Sequence, residues 1–465
     1  MTHFPENFTW GAAAASYQIE GAVQADGAGL SVWDMFCRVP GKVFEGYTGA
    51  VACDHYHRFA ADAALMRQLG IPNYRLSVCW PRVLPAGTGK VNEAGLAFYD
   101  RLVDTLLDHG VQPWVTLFHW DYPYELYCRG GWLNPDSPQW FADYTRLVVD
   151  RLSDRVSHWF TLNEPQCFIG LGLQAGLHAP GDKLGLTEAL RAAHHTLLAH
   201  GRAVQVIRAL AKTKPLIGWA PCGTVTIPEN ENRPEDVAAA RAAMFGTGPG
   251  STLCWDAVTT WSTAWWADPV VLGKYPDDGL KSFGAAVPPF TDAEMKTISE
   301  PLDFYGINIY NGTVVRAGDN GAPQKVGQPV GHSGTAMKWP VTPAALYWGP
   351  KFLHERYKLP VYITENGLSC MDWVSTDGKV HDPQRIDFLR RYLRELDRAL
   401  ADGVDVRGYF HWSVMDNFEW AEGYKERFGL IHVDYQTQQR TPKDSAHWYR
   451  EVISSNGASL HQGVR

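Results

Sequence analysis

The 465-residue sequence predicts an α/β fold: a closed (β/α)8 TIM barrel forming a single domain over residues 1–465, with long βα loops. Three observations predict it. Eight runs of apolar, β-branched or aromatic residues recur along the chain, helical patterns separate them, and the runs are apolar throughout instead of alternating in polarity. Strands buried on both faces belong to parallel sheets covered by helices, and eight such units close into a barrel. Barrels of this class routinely pass about 250 residues as one domain, so the length is no obstacle.

In chain order the strand runs are 8–14, 73–80, 113–120, 157–164, 215–221, 302–310, 360–365 and 406–416. The clearest helix between them takes Asp382 as N-cap and Pro383 in its first turn. It sets Ile386, Leu389, Leu393, Leu396 and Leu400 on one face and stops at Gly403. Phe59, Ala63, Met66 and Leu69, closed by Gly70, repeat the logic after the first strand. The Gly- and Pro-rich stretches 246–251 and 318–334 follow the fifth and sixth strands and read as long βα loops. Neither is a phosphate cradle, because GxxxxGK[ST] and GxGxxG are both absent. After Pro442 one helix and a loose tail from about residue 455 are expected. No fixed-period repeat, low-complexity tract or linker divides the chain.

Composition narrows the function. With 45% hydrophobic and 20% charged residues the chain can bury a sizeable core. A net charge of −8 without a Lys/Arg-rich run argues against nucleic-acid and membrane partners. The N-terminus lacks a basic n-region with an unbroken apolar h-region, and a cytoplasmic protein is expected. The eight cysteines form no CxxC pair and no zinc spacing, which reads as reduced thiols; Cys167, close to Glu164, is left unassigned. His55 and His57 form an HxH pair at the start of a helix, where capping or surface roles outweigh metal binding, and His194 and His195 read as ordinary helix residues. No metal and no cofactor is expected. The nineteen tryptophans suit flat surfaces that stack on rings, although core filling accounts for most. Trp10, Trp33, Trp114 and Trp159 are assigned to structure.

The chemistry is written at the strand ends. HWFTLNEPQCF (158–168) and PVYITENG (360–367) each begin as a buried strand and finish on a glutamate, Glu164 and Glu365. In this barrel the C-terminal ends of the strands form one mouth, so the two carboxylates meet there. Gln18, Arg75, His119, Trp120, Asn163, Asn308, Tyr310, Trp412, Asp416, Glu419 and Trp420 fall at the same ends. Two carboxylates at one mouth suit glycoside cleavage, one beside the leaving oxygen and one beneath the anomeric carbon. Arg75 has a second reading as a core ion-pair partner.

The stretches TWGAAAASYQIEGA, TLFHWDYP, TLNEP, YITENG and HWSVMDNFEWAEGYKERFGL strongly resemble family 1 glycoside hydrolases, the retaining β-glucosidases, over nearly the whole chain. The resemblance implies Glu164 as acid/base and Glu365 as nucleophile, with Arg75 and Tyr310 against the nucleophile. It implies Gln18, His119, Trp120, Asn163, Asn308, Glu419 and Trp420 as sugar binders, Trp412 as the platform beneath the sugar, and Trp339 and Phe428 as further substrate contacts. Three positions depart from the common pattern: Gln166 where Trp is frequent, Ile309 within the sixth-strand motif, and Cys79 before Trp80. Gln166 is expected at the aglycone entrance, giving glucose tolerance and transglycosylation.

The expected activity is a retaining exo-β-glucosidase acting on a small carbohydrate, with β-galactosides or β-fucosides as secondary substrates and the oligomeric state left open. The rivals are a 6-phospho-β-glucosidase, in which Ser typically replaces Glu419, a non-catalytic sugar-binding protein, and an inverting hydrolase with carboxyl groups about 6.5–9.5 Å apart. A carboxylate facing a phosphate dianion would repel it, which disfavours the first.

Overall fold

Each of the eight apolar runs supplies one strand of a parallel barrel sheet in the computed structural model, which describes residues 2–223, 225–247 and 261–462. The strands are β1 (Thr9–Ala13), β2 (Asn73–Ser77), β3 (Gln112–Phe118), β4 (His158–Asn163), β5 (Leu216–Ala220), β6 (Tyr305–Asn308), β7 (Val361–Asn366) and β8 (Val406–Trp412). β1 pairs with both β2 and β8, with Ala13 opposite Arg75 on one side and Trp412 on the other. Between β5 and β6 the Asp303 N–H reaches the Ile217 carbonyl at 2.8 Å and the Asn308 N–H reaches that of Pro221 at 3.0 Å, closing the ring. Gly306 permits that approach, since a Cβ there would lie 2.3 Å from the Trp219 carbonyl oxygen.

The lower barrel is plugged by rings. Trp114 packs against Tyr362 and Phe410 with centroids 5.3 and 5.1 Å apart, and Phe304 against Phe160 and Tyr362 at 5.3 and 4.9 Å. The Arg75 guanidinium lies 5.0 Å above the Phe160 centroid and separates this apolar floor from the polar mouth. Register shifts occur between Phe160 and Asn163 in β4 and between Ile363 and Glu365 in β7. Such irregularities re-aim side chains, and here they fall on the two strands that end in glutamate.

The expected helices form. α1 (His55–Gln68) buries Ala63 and Met66, with Leu69 buried just beyond it, and ends at Gly70, whose φ is +66°. α2 (Leu186–Leu210) carries His194 and His195. α3 (Pro383–Ala401) buries Leu389, Leu393 and Leu396, while Ile386 and Leu400 are half-buried. Asp382 stands at the N-cap of α3, its carbonyl accepting from the Arg385 N–H at 3.0 Å, but its side chain makes no cap bond to the first-turn backbone. Its carboxylate instead accepts from the Ser445 N–H and hydroxyl, at 2.8 and 2.6 Å, on α4 (Asp444–Ser454).

Several expectations need correction. Residues 318–334 are not all loop: Pro323–Lys325 pairs antiparallel with Thr313–Ala317, which pairs with Thr226–Pro228. Residues 455–462 are no loose tail, because Ala458–His461 forms a turn, Leu460 is fully buried, and His461 bonds Asp397 at 2.9 Å. His55 is neither a cap nor on the surface; it is buried and bonded to Asp62 at 2.8 Å, whereas His57 is exposed beside Asp54. Residues 248–251 of the first loop, and Cys254, lie outside the described residues. The other seven cysteines are free thiols. Among the described residues no helix is long and apolar enough to cross a membrane.

Candidate active site

The C-terminal strand ends ring a cavity of about 1100 Å³. Its buried walls include His119, Trp120, Asn163, Glu164, Asn308, Glu365, Trp412, Trp420 and Phe428; Tyr310 and Glu419 are half-buried, and Trp339 stands half-exposed nearer the rim. β7 delivers Glu365 to the floor, where Arg75 Nη1 from β2 donates to its Oε1 at 2.7 Å and Tyr310 Oη donates to its Oε2 at 2.7 Å. Arg75 is therefore a buried ion-pair partner, and its partner is Glu365. Tyr392 fixes Tyr310 by donating to its carbonyl at 3.0 Å.

Glu164 follows β4 directly and sits at φ +44°, a region that non-glycine residues avoid; Trp120 at +78° and Trp420 at +51° share this strain. The chain then turns into a π-helix, Gln166–Gln174, a form that gathers at functional sites. Asn308 Nδ2 donates to Glu164 Oε1 at 2.8 Å, and the Cys167 thiol donates to Oε2 at 2.9 Å. Asn163 is the hub between the carboxylates. Its Oδ1 accepts from Arg75 Nη2 at 2.6 Å and from Asn308 at 3.1 Å, and its Nδ2 donates to His119 Nε2 at 3.0 Å. Thr364 orients Asn308 by donating to its Oδ1 at 2.6 Å.

This distribution of partners separates the two acids. Burial raises Glu365 above the ordinary carboxylate range, and Arg75 and then the Tyr310 hydroxyl oppose that rise without cancelling it. Burial and the Glu365 charge push Glu164 up to about 7, and its two hydrogen bonds come from a thiol and a neutral amide. The cation and phenol beside Glu365 favour its ionised form, whereas burial and the Glu365 charge favour a protonated Glu164. Burial and the Arg75 charge push His119 well below its ordinary range, so its neutral ring accepts from Asn163. Burial followed by the Glu365 charge pushes Glu419 up to about 8.

The profile of Glycosyl hydrolase family 1 matches residues 1–458. The chain belongs to this family. It is 44% identical over 459 residues to the 1,4-beta-D-glucan glucohydrolase of Thermotoga neapolitana, covering 98% of this chain and 99% of that one. It is also 44% identical over 457 residues to Beta-glucosidase A of Thermotoga maritima, covering 98% of each. Among solved structures, the beta-glucosidase from Thermotoga maritima in complex with glucoimidazole superposes with a TM-score of 0.88 at 42% identity, over 98% of this chain and 99% of that one.

In this family 1 chain, the remaining expected residues divide between wall and support. Gln18 is fully buried behind Glu419, with Nε2 3.2 Å from Glu419 Oε2 and 3.0 Å from Asn417 Oδ1, and its Oε1 has no partner among the described residues. Trp412 lies parallel to His119 at 5.7 Å, and Trp420 packs on Trp120 and Trp33 at 4.6 and 4.7 Å. Trp33 is thus structural as expected, yet it backs a cavity wall. Trp339 contacts Tyr310 and Phe428 at 5.2 and 6.2 Å. Asp416 leaves the mouth and joins the buried Arg427–Lys443 ion network.

Gln166 corrects the entrance assignment. The π-helix turns it inward, where it is fully buried, and its Nε2 donates to the Cys222 carbonyl at 2.7 Å. It does not line the cavity. Lining residues without an assigned role include His178, packed at a tilt against Trp120 at 5.5 Å, and the thiols Cys167 and Cys222. His178 has no strand-end position to mark it, and the cysteines are distant in sequence.

Proposed function

We propose that this chain is a retaining exo-β-glucosidase forming one catalytic domain, which releases terminal β-D-glucosyl residues from short oligosaccharides and from aryl and alkyl β-glucosides. β-Galactosides and β-fucosides are secondary substrates. The observation that carries the reading is the unequal partnering of two buried carboxylates, Glu365 by a cation and a phenol, Glu164 by an amide and a thiol.

In the first step a Glu365 oxygen attacks the anomeric carbon while Glu164 gives its proton to the departing glycosidic oxygen, leaving a covalent glycosyl–enzyme ester. Esterification removes the Glu365 charge, so the repulsion that raised Glu164 is lost and its conjugate base can take a proton from water. That water attacks the same carbon and expels Glu365, and the two inversions give net retention. A sugar hydroxyl in place of water gives transglycosylation. Glucose tolerance arises elsewhere than at buried Gln166.

Exo-action is supported by the gradient of burial. The Trp412, Trp420 and His119 end is buried, whereas Phe44, Glu45, Lys325 and Lys338 are exposed around the opening. Glu419 in the cavity, where the 6-phospho-β-glucosidases typically carry Ser, favours an unphosphorylated sugar. The free thiols are in keeping with a cytoplasmic protein.

The test is trapping with a 2-deoxy-2-fluoro-β-glucoside followed by peptide mass mapping. The expected adduct is on Glu365. An adduct on Glu164 would exchange the two roles, and no adduct with intact turnover would count against a covalent intermediate.

A further inference from the structure

Cys167, Cys222 and Glu164 each present a ligating atom to the others within 4.8 Å, although β4 and β5 bring the two cysteines together from 55 positions apart. The Cys167 and Cys222 sulfurs are 3.9 Å apart, and both residues line the cavity. Two thiolates bound to zinc at about 2.3 Å in tetrahedral geometry lie about 3.8 Å apart, so the sulfur spacing already suits one ion. Glu164 Oε2 stands 2.9 Å from the Cys167 sulfur and completes a third position. Gln166 holds the far ligand's backbone, its Nε2 donating to the Cys222 carbonyl at 2.7 Å, and before a metal binds its Oε1 accepts from the Cys222 thiol at 3.8 Å.

We propose that Cys167, Cys222 and Glu164 form an inhibitory site for a thiophilic d10 cation such as Zn²⁺ or Cd²⁺, with the fourth position open to the cavity. Both thiols lose their protons to solvent on binding and the metal takes their place, while the Glu164 carboxylate becomes a ligand. A carboxylate bound to a cation cannot deliver a proton to a leaving group. Inhibition, though not binding, therefore rests on Glu164 acting as the acid. No catalytic part falls to the metal.

The experiment titrates the purified enzyme with Cd²⁺, following the ultraviolet thiolate-to-cadmium charge-transfer band and, in parallel, hydrolysis of an alkyl β-glucoside. Expected is a band of two-thiolate intensity at one equivalent, rising in step with loss of turnover. Cys222→Ser and Cys222→Ala should keep metal-free turnover and weaken Cd²⁺ binding by at least about 100-fold, the upper end of what a supporting contact alone supplies. Cys128→Ser, which removes an exposed thiol, should change neither signal. A band lost in Cys128→Ser, or unchanged in both Cys222 variants, would overturn the site. A two-thiolate band with undiminished hydrolysis would uphold the site and count against the acid role of Glu164.

Discussion

Arg75 Nη1 donates to Glu365 Oε1 across 2.7 Å, joining the middle of β2 to the end of β7, and both side chains are almost fully buried. Such a pair stabilises little by itself, because desolvating two ions offsets their attraction, yet removing one member strands the other charge. Arg75→Met should therefore destabilise the fold by about 3–5 kcal/mol in denaturant titrations. It should also raise the acid limb of the kcat/KM profile, because Glu365 loses the cation that draws it down. An unchanged acid limb would separate Arg75 from Glu365 ionisation.

Glu164 carries the complementary prediction. With its carboxyl pushed up to about 7 by burial and then by the Glu365 charge, kcat/KM should fall as pH rises through about 7, where the proton is lost. Glu164→Gln should slow poor leaving groups by about 10²- to 10⁴-fold and spare dinitrophenyl glucoside in the glycosylation step, because acid assistance matters less when the leaving oxygen is weakly basic. Equal losses across leaving groups would remove Glu164 from that role.

These two residues were legible in the sequence because a parallel barrel buries both faces of each strand, so a charge ending an apolar run stands out. Trp159, Phe160 and Leu162 before Glu164, and Val361 and Ile363 before Glu365, make that contrast. Support residues were less visible. The orientation of Gln166 depends on the π-helix that follows Glu164, and no local pattern marks where its side chain turns. Cys167 and Cys222 become neighbours only when β4 and β5 pair. The Pro323–Lys325 strand is exposed and polar, so it lacks the apolar signature that revealed the barrel.

Glu419 links the site to stability. Its folded carboxyl is pushed from the ordinary 4.5 to about 8, so the folded state holds a proton that the unfolded chain has released in this window. The resulting stability is full below about 4.5 and is lost as pH rises through about 8. Glu419→Gln should flatten that decline, leaving the variant more stable than the parent at pH 8 by on the order of a few kcal/mol, while turnover of glucosides falls. Thermal unfolding across the pH range measures it. Parallel stability curves for parent and variant would contradict the assignment.

Gln166→Trp should act on folding more than on the entrance. Its fully buried amide holds the Cys222 carbonyl, and a larger ring there both overpacks the site and orphans that acceptor, costing about 1–3 kcal/mol. Thermal unfolding should show the loss, and the response to added glucose should stay close to that of the parent. A changed glucose response with unchanged stability would return Gln166 to the entrance.

The central claim, that Glu365 and Glu164 act through a covalent intermediate with two inversions, is tested most directly by proton NMR of the first glucose released from an aryl β-glucoside before mutarotation. The account predicts the β-anomer, appearing first and decaying slowly to the equilibrium mixture. The α-anomer appearing first would mean a single inversion by water and would contradict it.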